Sequence, residues 1–251
     1  MARMVRTEPG DVKDGRQVLP GRRPVRSMAP GILNDGAELG MLAPMKPVGA
    51  VIFDLGRVLV DVDFSRGLFP LLVDPRGPTH PGQQLARQEL FCDFGTGRID
   101  PAEFHRRLCR MFDLDLEYPE FVRRWCDVFS EVPGMAQLLA RVAALVPVGL
   151  LSDTDPLHWA YCRSHFSYLD RISEPTLSFE VGALKPDPRC YREAVRRTGV
   201  AASQCLFVDD LSANVDGARA CGLQALVFTG AADLERQLAA LDVLPGARTR
   251  R

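Results

Sequence analysis

Four short apolar runs punctuate the chain, and each is followed at once by polar or turn-forming residues. They cover Ala50 to Leu55, Pro147 to Leu151, Cys205 to Val208 and Leu223 to Phe228. Continuous apolar runs of this length are typical of strands that are buried on both faces of a parallel sheet. The pattern therefore predicts at least four parallel core strands.

Helical patterns separate these runs, and two of them begin with an aspartate followed by a proline. Asp155-Pro156 precedes the pattern from Leu157 to Phe166, and Asp187-Pro188 precedes the one from Cys190 to Thr198, which Gly199 ends. An N-cap carboxylate, a proline in the first turn and a glycine after the last are helix boundary signals. Because strands and helices alternate, we expect an α/β fold of the Rossmann-like, doubly wound kind, a parallel sheet flanked by helices.

Residues 64–131 break this alternation, since their periodicity is helical throughout. Asp100 to Glu103 resembles a capping box that opens a helix from Phe104 to Phe112, and Pro119 opens a second pattern from Phe121 to Phe129. The pattern predicts an all-helical cap inserted after the first strand.

The chain thus divides into four predicted parts. Residues 1–46 are rich in Arg, Gly and Pro and are predicted to form a flexible extension, with Met45 as an alternative translation start. The core comprises 47–63 and 132–230, the cap comprises 64–131, and residues 231–251 form a C-terminal helix and tail.

Charge and hydropathy narrow the range of partners. The 31 basic and 32 acidic residues leave a net charge of -1, so we expect neither nucleic acid nor an anionic membrane surface as partner. The longest apolar stretch, Val142 to Leu151, contains Pro147 and is too short to span a bilayer. A small ligand and a monomer or homodimer are expected.

Cysteine usage and the N-terminus indicate a reducing compartment. The seven cysteines form no C-x-x-C pair, and several lie in apolar stretches, which favours free thiols over disulfides or a zinc site. Arg3, Arg6, Glu8 and Asp11 occupy the N-terminus without an apolar segment, so no secretory signal is expected. We expect a cytoplasmic protein.

Polar side chains follow three of the apolar runs at the point where each strand should end. Asp54 lies near the end of the first run, Ser152 follows the second, and Asp209-Asp210 follows the third. Lys185 lies in a loop before the helix that starts near Asp187. Ligands of open parallel sheets bind beyond the carboxyl ends of the strands. These residues are therefore expected to share one site.

Taken in order, these segments resemble the four motifs of the haloacid dehalogenase (HAD) superfamily. The segment Phe53 to Asp61, FDLGRVLVD, is similar to the first motif, Leu150 to Ser152 to the second, and Lys185-Pro186 to the third. Phe207 to Asp210 followed by Asn214 is similar to the fourth. The resemblance covers roughly Val48 to Phe228.

Within the superfamily the chain resembles subfamily IA enzymes with a helical C1 cap, of the bacterial α-D-glucose-1-phosphate phosphatase type. The segments that carry this finer resemblance are FDLGRVLVDVDFSR, LSDTDPLH and, in the cap, Gly97 to Phe104. They suggest sugar phosphates as a substrate class without identifying a substrate. Asp153 stands where that group has asparagine.

The resemblance implies an Mg2+-dependent phosphatase that works through an aspartyl-phosphate. Asp54 would be the nucleophile, and Lys185 and Ser152 would hold the phosphate, with Asp153 also on the substrate side. The implied metal ligands are Asp54, the Gly56 carbonyl, Asp209 and Asp210, with Asn214 holding a ligand carboxylate or a water from behind.

Gly56 departs from the family pattern, because most family phosphatases carry there a second aspartate that serves as acid and base. Without it, a substrate with a good leaving group, such as a hemiacetal phosphate, fits better than an ordinary alcohol ester. Substitute acids in the sequence are Asp61, Asp63, Asp153 and His158. Two other functions stay open: a metal-independent 2-haloacid dehalogenase, and a catalytically weak protein that binds a phosphorylated ligand or a protein partner.

Overall fold

The structure, a computed structural model, describes residues 47–72 and 88–245, and the fold is given for these residues. A five-stranded sheet has the order β5-β4-β1-β6-β7, all neighbours are parallel, and a two-stranded antiparallel ribbon, β2-β3, stands apart from it. The strands are β1 (Ala50–Phe53), β2 (Val60–Val62), β3 (Phe129–Glu131), β4 (Val148–Ser152), β5 (Thr176–Leu177), β6 (Cys205–Asp209) and β7 (Gln224–Val227).

The described residues form ten α-helices and two short 3-10 helices, Ser167–Arg171 and Ala202–Gln204. The α-helices are α1 (Phe69–Leu72), α2 (Glu89–Gly95), α3 (Pro101–Phe112), α4 (Tyr118–Cys126), α5 (Met135–Ala143), α6 (Pro156–His165), α7 (Ser178–Val181), α8 (Pro188–Thr198), α9 (Ser212–Ala220) and α10 (Ala231–Ala240).

Strand β1 lies at the centre of the sheet and separates two apolar layers. Successive side chains of a strand point to opposite faces. Val51 and Phe53 accordingly join a cluster with α5, α6 and α10, whereas Ala50 and Ile52 join a cluster with α8 and α9. The fold is therefore the predicted parallel sheet with helices on both faces, and the continuous apolar runs reflect burial on both sides.

The aspartates that precede helix prolines act as N-caps. Asp155 accepts hydrogen bonds from Leu157 N and His158 N, and Asp187 accepts one from Arg189 N. Helix α8 ends at Gly199 in the left-handed conformation, with φ of 68°. The Asp155 cap starts α6 just beyond the end of β4, and the Asp187 cap starts α8 directly after the loop that carries Lys185.

The described part of the cap consists of helices α1 to α4, packed around stacked aromatic rings. Phe94 and Phe104 stack with centroids 4.0 Å apart, and Trp125 stacks on Phe69 at 5.1 Å. The helix predicted to reach Phe129 ends earlier, at Cys126, because the chain then enters β3 and pairs with β2. Asp100 caps α3 through Glu103 N, but the Glu103 carboxylate binds Arg106 and Arg107 and completes no capping box.

Several expectations fall on parts of the chain that the structure does not describe. The extension predicted for residues 1–46, the alternative start at Met45 and the tail after residue 245 lie outside the described residues, as do residues 73–87 of the predicted cap. Within 47–72 and 88–245, no helix has the length and apolar character that a membrane span requires. The seven cysteines all lie in the described ranges and are free thiols.

Candidate active site

A cavity of about 330 Å3 opens at the carboxyl ends of β1, β4 and β6, and the predicted site residues gather around it. Asp54 follows β1 directly, Ser152 is the last residue of β4, and Asp210 follows β6. All three line the cavity together with Lys185. The structure thus brings together residues that are separated by as much as 156 positions, because parallel strands end at one edge.

Lys185 holds the centre of the site. Its Nζ donates to Asp54 Oδ1 at 2.7 Å, to Asp209 Oδ2 at 2.7 Å and to the Leu151 carbonyl oxygen at 3.3 Å. Burial by itself would lower the pKa of this amine, but the carboxylates of Asp54, Asp153 and Asp209 outweigh burial and raise it. Lys185 is therefore a fixed cation beside the proposed nucleophile.

Asp209 and Asp210 are adjacent in sequence but have different surroundings. Asp209 is fully buried, and its carboxylate accepts from Lys185 Nζ, from Leu211 N at 2.8 Å, and from Asn214 Nδ2 at 3.1 and 3.0 Å. Asp210 instead lines the cavity. This geometry makes Asp209 the support that orients Lys185 and Asn214, and leaves Asp210 as the member of the pair that faces a ligand.

The carboxylates of Asp54, Asp209 and Asp210 form an oxygen cluster that suits a hard divalent cation. Each offers an oxygen within 4.8 Å of the others, and Mg2+ prefers carboxylate oxygens and water. Burial raises the pKa of Asp54 to about 7, with Lys185 opposing the shift, and burial next to Asp209 raises the pKa of Asp210. Negative charge at this point is therefore costly without a cation, so the residues present fit a magnesium ion.

Ser152 and Asp153 occupy the wall at the end of β4. Ser152 is 2% exposed and lines the cavity, where its hydroxyl can donate to a phosphate oxygen. Asp153 also lines the cavity, and its Oδ1 accepts the backbone N–H of Lys185 at 2.9 Å. One oxygen of Asp153 thus fixes the loop that carries Lys185.

The loop after Asp54 places Gly56 and Arg57 at the opposite wall. Gly56 forms an isolated bridge with Val60, and Arg57 N donates to the Val60 carbonyl oxygen at 2.6 Å. Arg57 adopts a left-handed backbone with φ of 60°, and its guanidinium lies 5.8 Å from the centre of the Phe64 ring. The tight turn keeps the Gly56 backbone beside the carboxylate cluster.

The four candidate substitutes for a second acid differ in position. Asp61 accepts from Val62 N, and Asp63 accepts from Ser65 N and Oγ, so both make local hydrogen bonds near the end of β2, outside the cavity wall. Asp153 and His158 do line the cavity. His158, however, directs Nδ1 to the Asp155 carboxylate and Nε2 to the Trp125 carbonyl oxygen, both at 2.9 Å.

Sequence reasoning did not anticipate the apolar wall of the cavity. Its members come from the loop after β1, from the β2-β3 ribbon and from the start of α9, and they include Leu55, Val62, Phe64, Phe129 and Leu211. Phe64 lies shortly after β2, and Phe129 is the first residue of β3. Because the sequence pattern did not reveal that these strands pair, it carried no signal that the two rings would line one cavity. Two aromatic side chains therefore line the same cavity as Asp54.

Comparison with known proteins supports the same classification. The family model described as haloacid dehalogenase-like hydrolase matches residues 48–222. A D-ribitol-5-phosphate phosphatase of Bacteroides thetaiotaomicron is 26% identical over 202 residues, which cover 75% of this chain and 95% of that protein. A Mycobacterium tuberculosis protein named Phosphatase MT3486 is 37% identical over 196 residues, covering 71% of this chain and 86% of its own length.

Solved structures share the fold. A HAD family enzyme of Bacteroides thetaiotaomicron, determined with magnesium and inorganic phosphate, superposes with a TM-score of 0.63 at 22% identity, over 73% of this chain and 95% of that one. L-2-haloacid dehalogenase of Xanthobacter autotrophicus superposes at 0.54 with 19% identity, over 79% and 85% of the two chains. By the family match over residues 48–222 and the 37% identical relative, the chain belongs to the haloacid dehalogenase-like hydrolase family and is a hydrolase.

Proposed function

We propose that this hydrolase is an Mg2+-dependent phosphatase of small phosphorylated metabolites, with Asp54 as nucleophile. The observation that carries the proposal is the contact of Lys185 with Asp54 and Asp209, next to Asp210, at the bottom of one cavity. Phosphate monoesters are dianionic, so a carboxylate can attack them only where cations compensate the charge. This cavity combines a carboxylate, a fixed ammonium group and a cation-binding oxygen cluster.

In the first step an oxygen of Asp54 attacks phosphorus, and the bond from phosphorus to the leaving oxygen breaks. The electron pair stays on the leaving oxygen, and an aspartyl-phosphate forms on Asp54. Lys185 Nζ, 2.7 Å from Asp54 Oδ1, keeps the attacking carboxylate in place and balances charge on the phosphoryl oxygens. The Ser152 hydroxyl donates a hydrogen bond to one of these oxygens.

In the second step water attacks phosphorus, the bond between phosphorus and the Asp54 oxygen breaks, and inorganic phosphate leaves. The proton of the water goes to the phosphate product, which regenerates the Asp54 carboxylate. Asp209, held by Asn214 and Leu211 N, keeps Lys185 in the same position through both steps.

Mg2+ would be held by carboxylate oxygens of Asp54 and Asp210 with the Gly56 carbonyl beside them, and it supplies charge neutralisation of the phosphoryl group. Two similar proteins support the proposed reaction type and metal. One relative is named a D-ribitol-5-phosphate phosphatase, and one structure with a similar fold holds magnesium and inorganic phosphate.

A metal-independent dehalogenase is the second candidate, because the fold also superposes on L-2-haloacid dehalogenase. That activity needs a carboxylate nucleophile but no cation site. The carboxylates of Asp54, Asp209 and Asp210 could hold a cation, which a dehalogenase would not need. The cluster therefore favours phosphoryl transfer.

The test is phosphate release from a panel of phosphate monoesters, with Mg2+ and with EDTA. We expect release that requires Mg2+ and falls by about a thousandfold or more in Asp54→Asn. Asp61→Asn is the matched control, since Asp61 makes its bond to Val62 N outside the cavity wall. EDTA-insensitive turnover, or an Asp54→Asn variant as active as the control, would contradict the proposal.

The third candidate, a ligand-binding protein without efficient turnover, is separated by a phosphoryl mimic. Beryllium fluoride with Mg2+ should raise the melting temperature of the protein and compete with substrate if Asp54 accepts a phosphoryl group. Binding of the mimic without turnover on any ester of the panel would favour the binding function instead.

A further inference from the structure

We infer that the esters this site hydrolyses are aryl phosphates, in which the phosphate is attached to an aromatic hydroxyl group. The inference rests on the proposed phosphatase function and narrows its substrate class. Two independent observations carry it: the absence of a side chain at Gly56, and the aromatic lining of the space into which the leaving group extends.

The first observation concerns protonation of the leaving oxygen. An alcohol oxygen leaves as a high-energy alkoxide unless an acid protonates it, and such acid help contributes about 100- to 10,000-fold to rate. Gly56 has no carboxyl group to give it. A phenolic oxygen can leave as the phenolate with its electron pair delocalised into the ring, so the bond to phosphorus breaks without a proton from the protein.

Neither candidate acid on the cavity wall is free to replace the missing one, since Asp153 Oδ1 accepts the Lys185 backbone N–H at 2.9 Å and His158 is held on both ring nitrogens. The two ring nitrogens of His158 face the Asp155 carboxylate and the Trp125 carbonyl oxygen, and its ring stacks on Trp125 at 4.8 Å with 5° between the planes. A ring held on both nitrogens and on one face cannot turn toward a leaving oxygen. His158 is thus a wall of the cavity.

The second observation is a further cavity of about 220 Å3 that adjoins the first, with Phe64, Asp153, Thr154 and His158 lining both. Four aromatic residues of the cap, Phe69, Phe91, Phe94 and Trp125, form half of its remaining wall, and Phe91 is the least buried of them. We call this space the aromatic chamber. When a phosphate is bound at Asp54, we expect its leaving group to lie along the apolar wall of the first cavity and to extend into this chamber.

Two polar side chains of the aromatic chamber, Asp155 and His158, are bonded to each other and to neighbouring groups. The Asp155 carboxylate accepts from Leu157 N, His158 N and Trp125 Nε1, and faces His158 Nδ1. A sugar placed here would lose hydrogen bonds to water and gain contact with aromatic surface. Hydroxyl groups that lose their hydrogen bonds are costly to bury. A flat apolar ring gains from the same surface through burial and offset or edge-on ring contacts.

The experiment compares kcat/KM for phenyl phosphates of increasing phenol acidity, an alkyl phosphate, D-ribitol 5-phosphate and α-D-glucose 1-phosphate, all with Mg2+. We expect the rate to fall steeply as the phenol becomes less acidic, and the alkyl and ribitol esters to be at least about 100-fold slower than phenyl phosphate. Glucose 1-phosphate has an activated leaving group without an aromatic ring, so it separates the effect of leaving-group acidity from recognition of an aromatic ring. We expect its KM to be higher than that of phenyl phosphate.

A variant of the chamber tests the ring contact directly. Phe64→Ala should raise KM for phenyl phosphate about 3- to 10-fold, with little change for glucose 1-phosphate. Phe112→Ala is the matched control, because Phe112 packs against the same cap cluster but outside both cavities. It should leave both KM values unchanged.

The outcomes separate the two proposals. Failure to release phosphate from every ester would overturn the phosphatase function itself. Mg2+-dependent release that is as fast from ribitol or glucose phosphates as from phenyl phosphate would leave the phosphatase function standing and overturn the aryl inference. Equal KM changes for both substrates in Phe64→Ala would likewise overturn it.

Discussion

Gly56 is the residue at which this site differs most from the pattern that the first motif resembles. Its backbone is not in the left-handed region, and within the described residues a Cβ built there would meet only Val62 Cγ2, at 3.4 Å. That distance is ordinary van der Waals contact. The position therefore accepts a side chain, and the missing acid is a property of the residue, not a steric requirement of the turn.

Gly56→Asp is expected to supply the missing acid. The variant should speed hydrolysis of an alkyl phosphate by about tenfold or more while changing phenyl phosphate hydrolysis little, because only the alkoxide needs a proton. Steady-state kcat/KM for both esters measures the effect. Gly56→Asn, with the same shape and no acidic proton, is the control, and an equal gain in both variants would show that the change is not acid catalysis.

At the scale of helices and strands, the junction between cap and core depends on a few close contacts. Trp125 of α4 donates from Nε1 to Asp155 at 3.1 Å, and the Cys126 thiol contacts the Leu157 carbonyl oxygen at 3.6 Å. Near α7, Gly97 has φ of 71°, and a Cβ there would overlap the carbonyl oxygen of Phe179. Glycine at this turn permits the cap to approach the core that closely.

Gly97→Ala should therefore destabilise the protein more than the same change at Gly182. Both positions have a left-handed backbone, with φ of 71° and 72°, but a Cβ at Gly182 meets no atom of the described residues within 4 Å. The backbone strain of about 1–2 kcal/mol is common to both, and the overlap adds about 1–3 kcal/mol at Gly97 alone. Urea unfolding of the two variants measures the difference, and equal free energies of unfolding would refute the close approach.

At the scale of the whole molecule, the site concentrates negative charge that the rest of the fold must support. Asp54, Asp209 and Asp210 meet at one sheet edge, and Lys185 contacts the first two. The raised pKa of Asp210 means that its charged form costs stability at neutral pH. The Mg2+ proposed to bind here would offset this cost.

Mg2+ should consequently raise the melting temperature above its value in EDTA. At 100 times Kd, binding contributes about 2.7 kcal/mol, which corresponds to roughly 5–10 °C for a chain of this size. Asp210→Asn should melt higher than the native protein in EDTA, because the buried charge is gone, yet gain little from Mg2+. Differential scanning calorimetry tests both expectations, and a full Mg2+ response in the variant would exclude Asp210 as a ligand.

Local chemistry was sufficient to predict strands β1, β4, β6 and β7, the capped helices and the polar residues at the ends of β1, β4 and β6, but not β2, β3 or β5. The apolar run that forms β1, directly before Asp54, specifies burial on both faces of the sheet. A proline after Asp155 or Asp187 specifies a helix start, wherever the segment lies in the fold. The order of these segments then brings Asp54, Ser152 and Lys185 to one edge. Each of these inferences needs only neighbouring residues and the handedness of strand connections.

Long-range packing alone decided the rest. Asp209 and Asp210 are chemically identical neighbours, and only the placement of Lys185 and Asn214 directs one to the interior and leaves the other at the cavity. The β2-β3 pairing likewise joins residues 67 to 71 positions apart, and the aromatic wall brings together Phe64 and Phe129, which are 65 positions apart. Such contacts depend on where whole elements pack against each other, and a single segment carries no record of its distant neighbours.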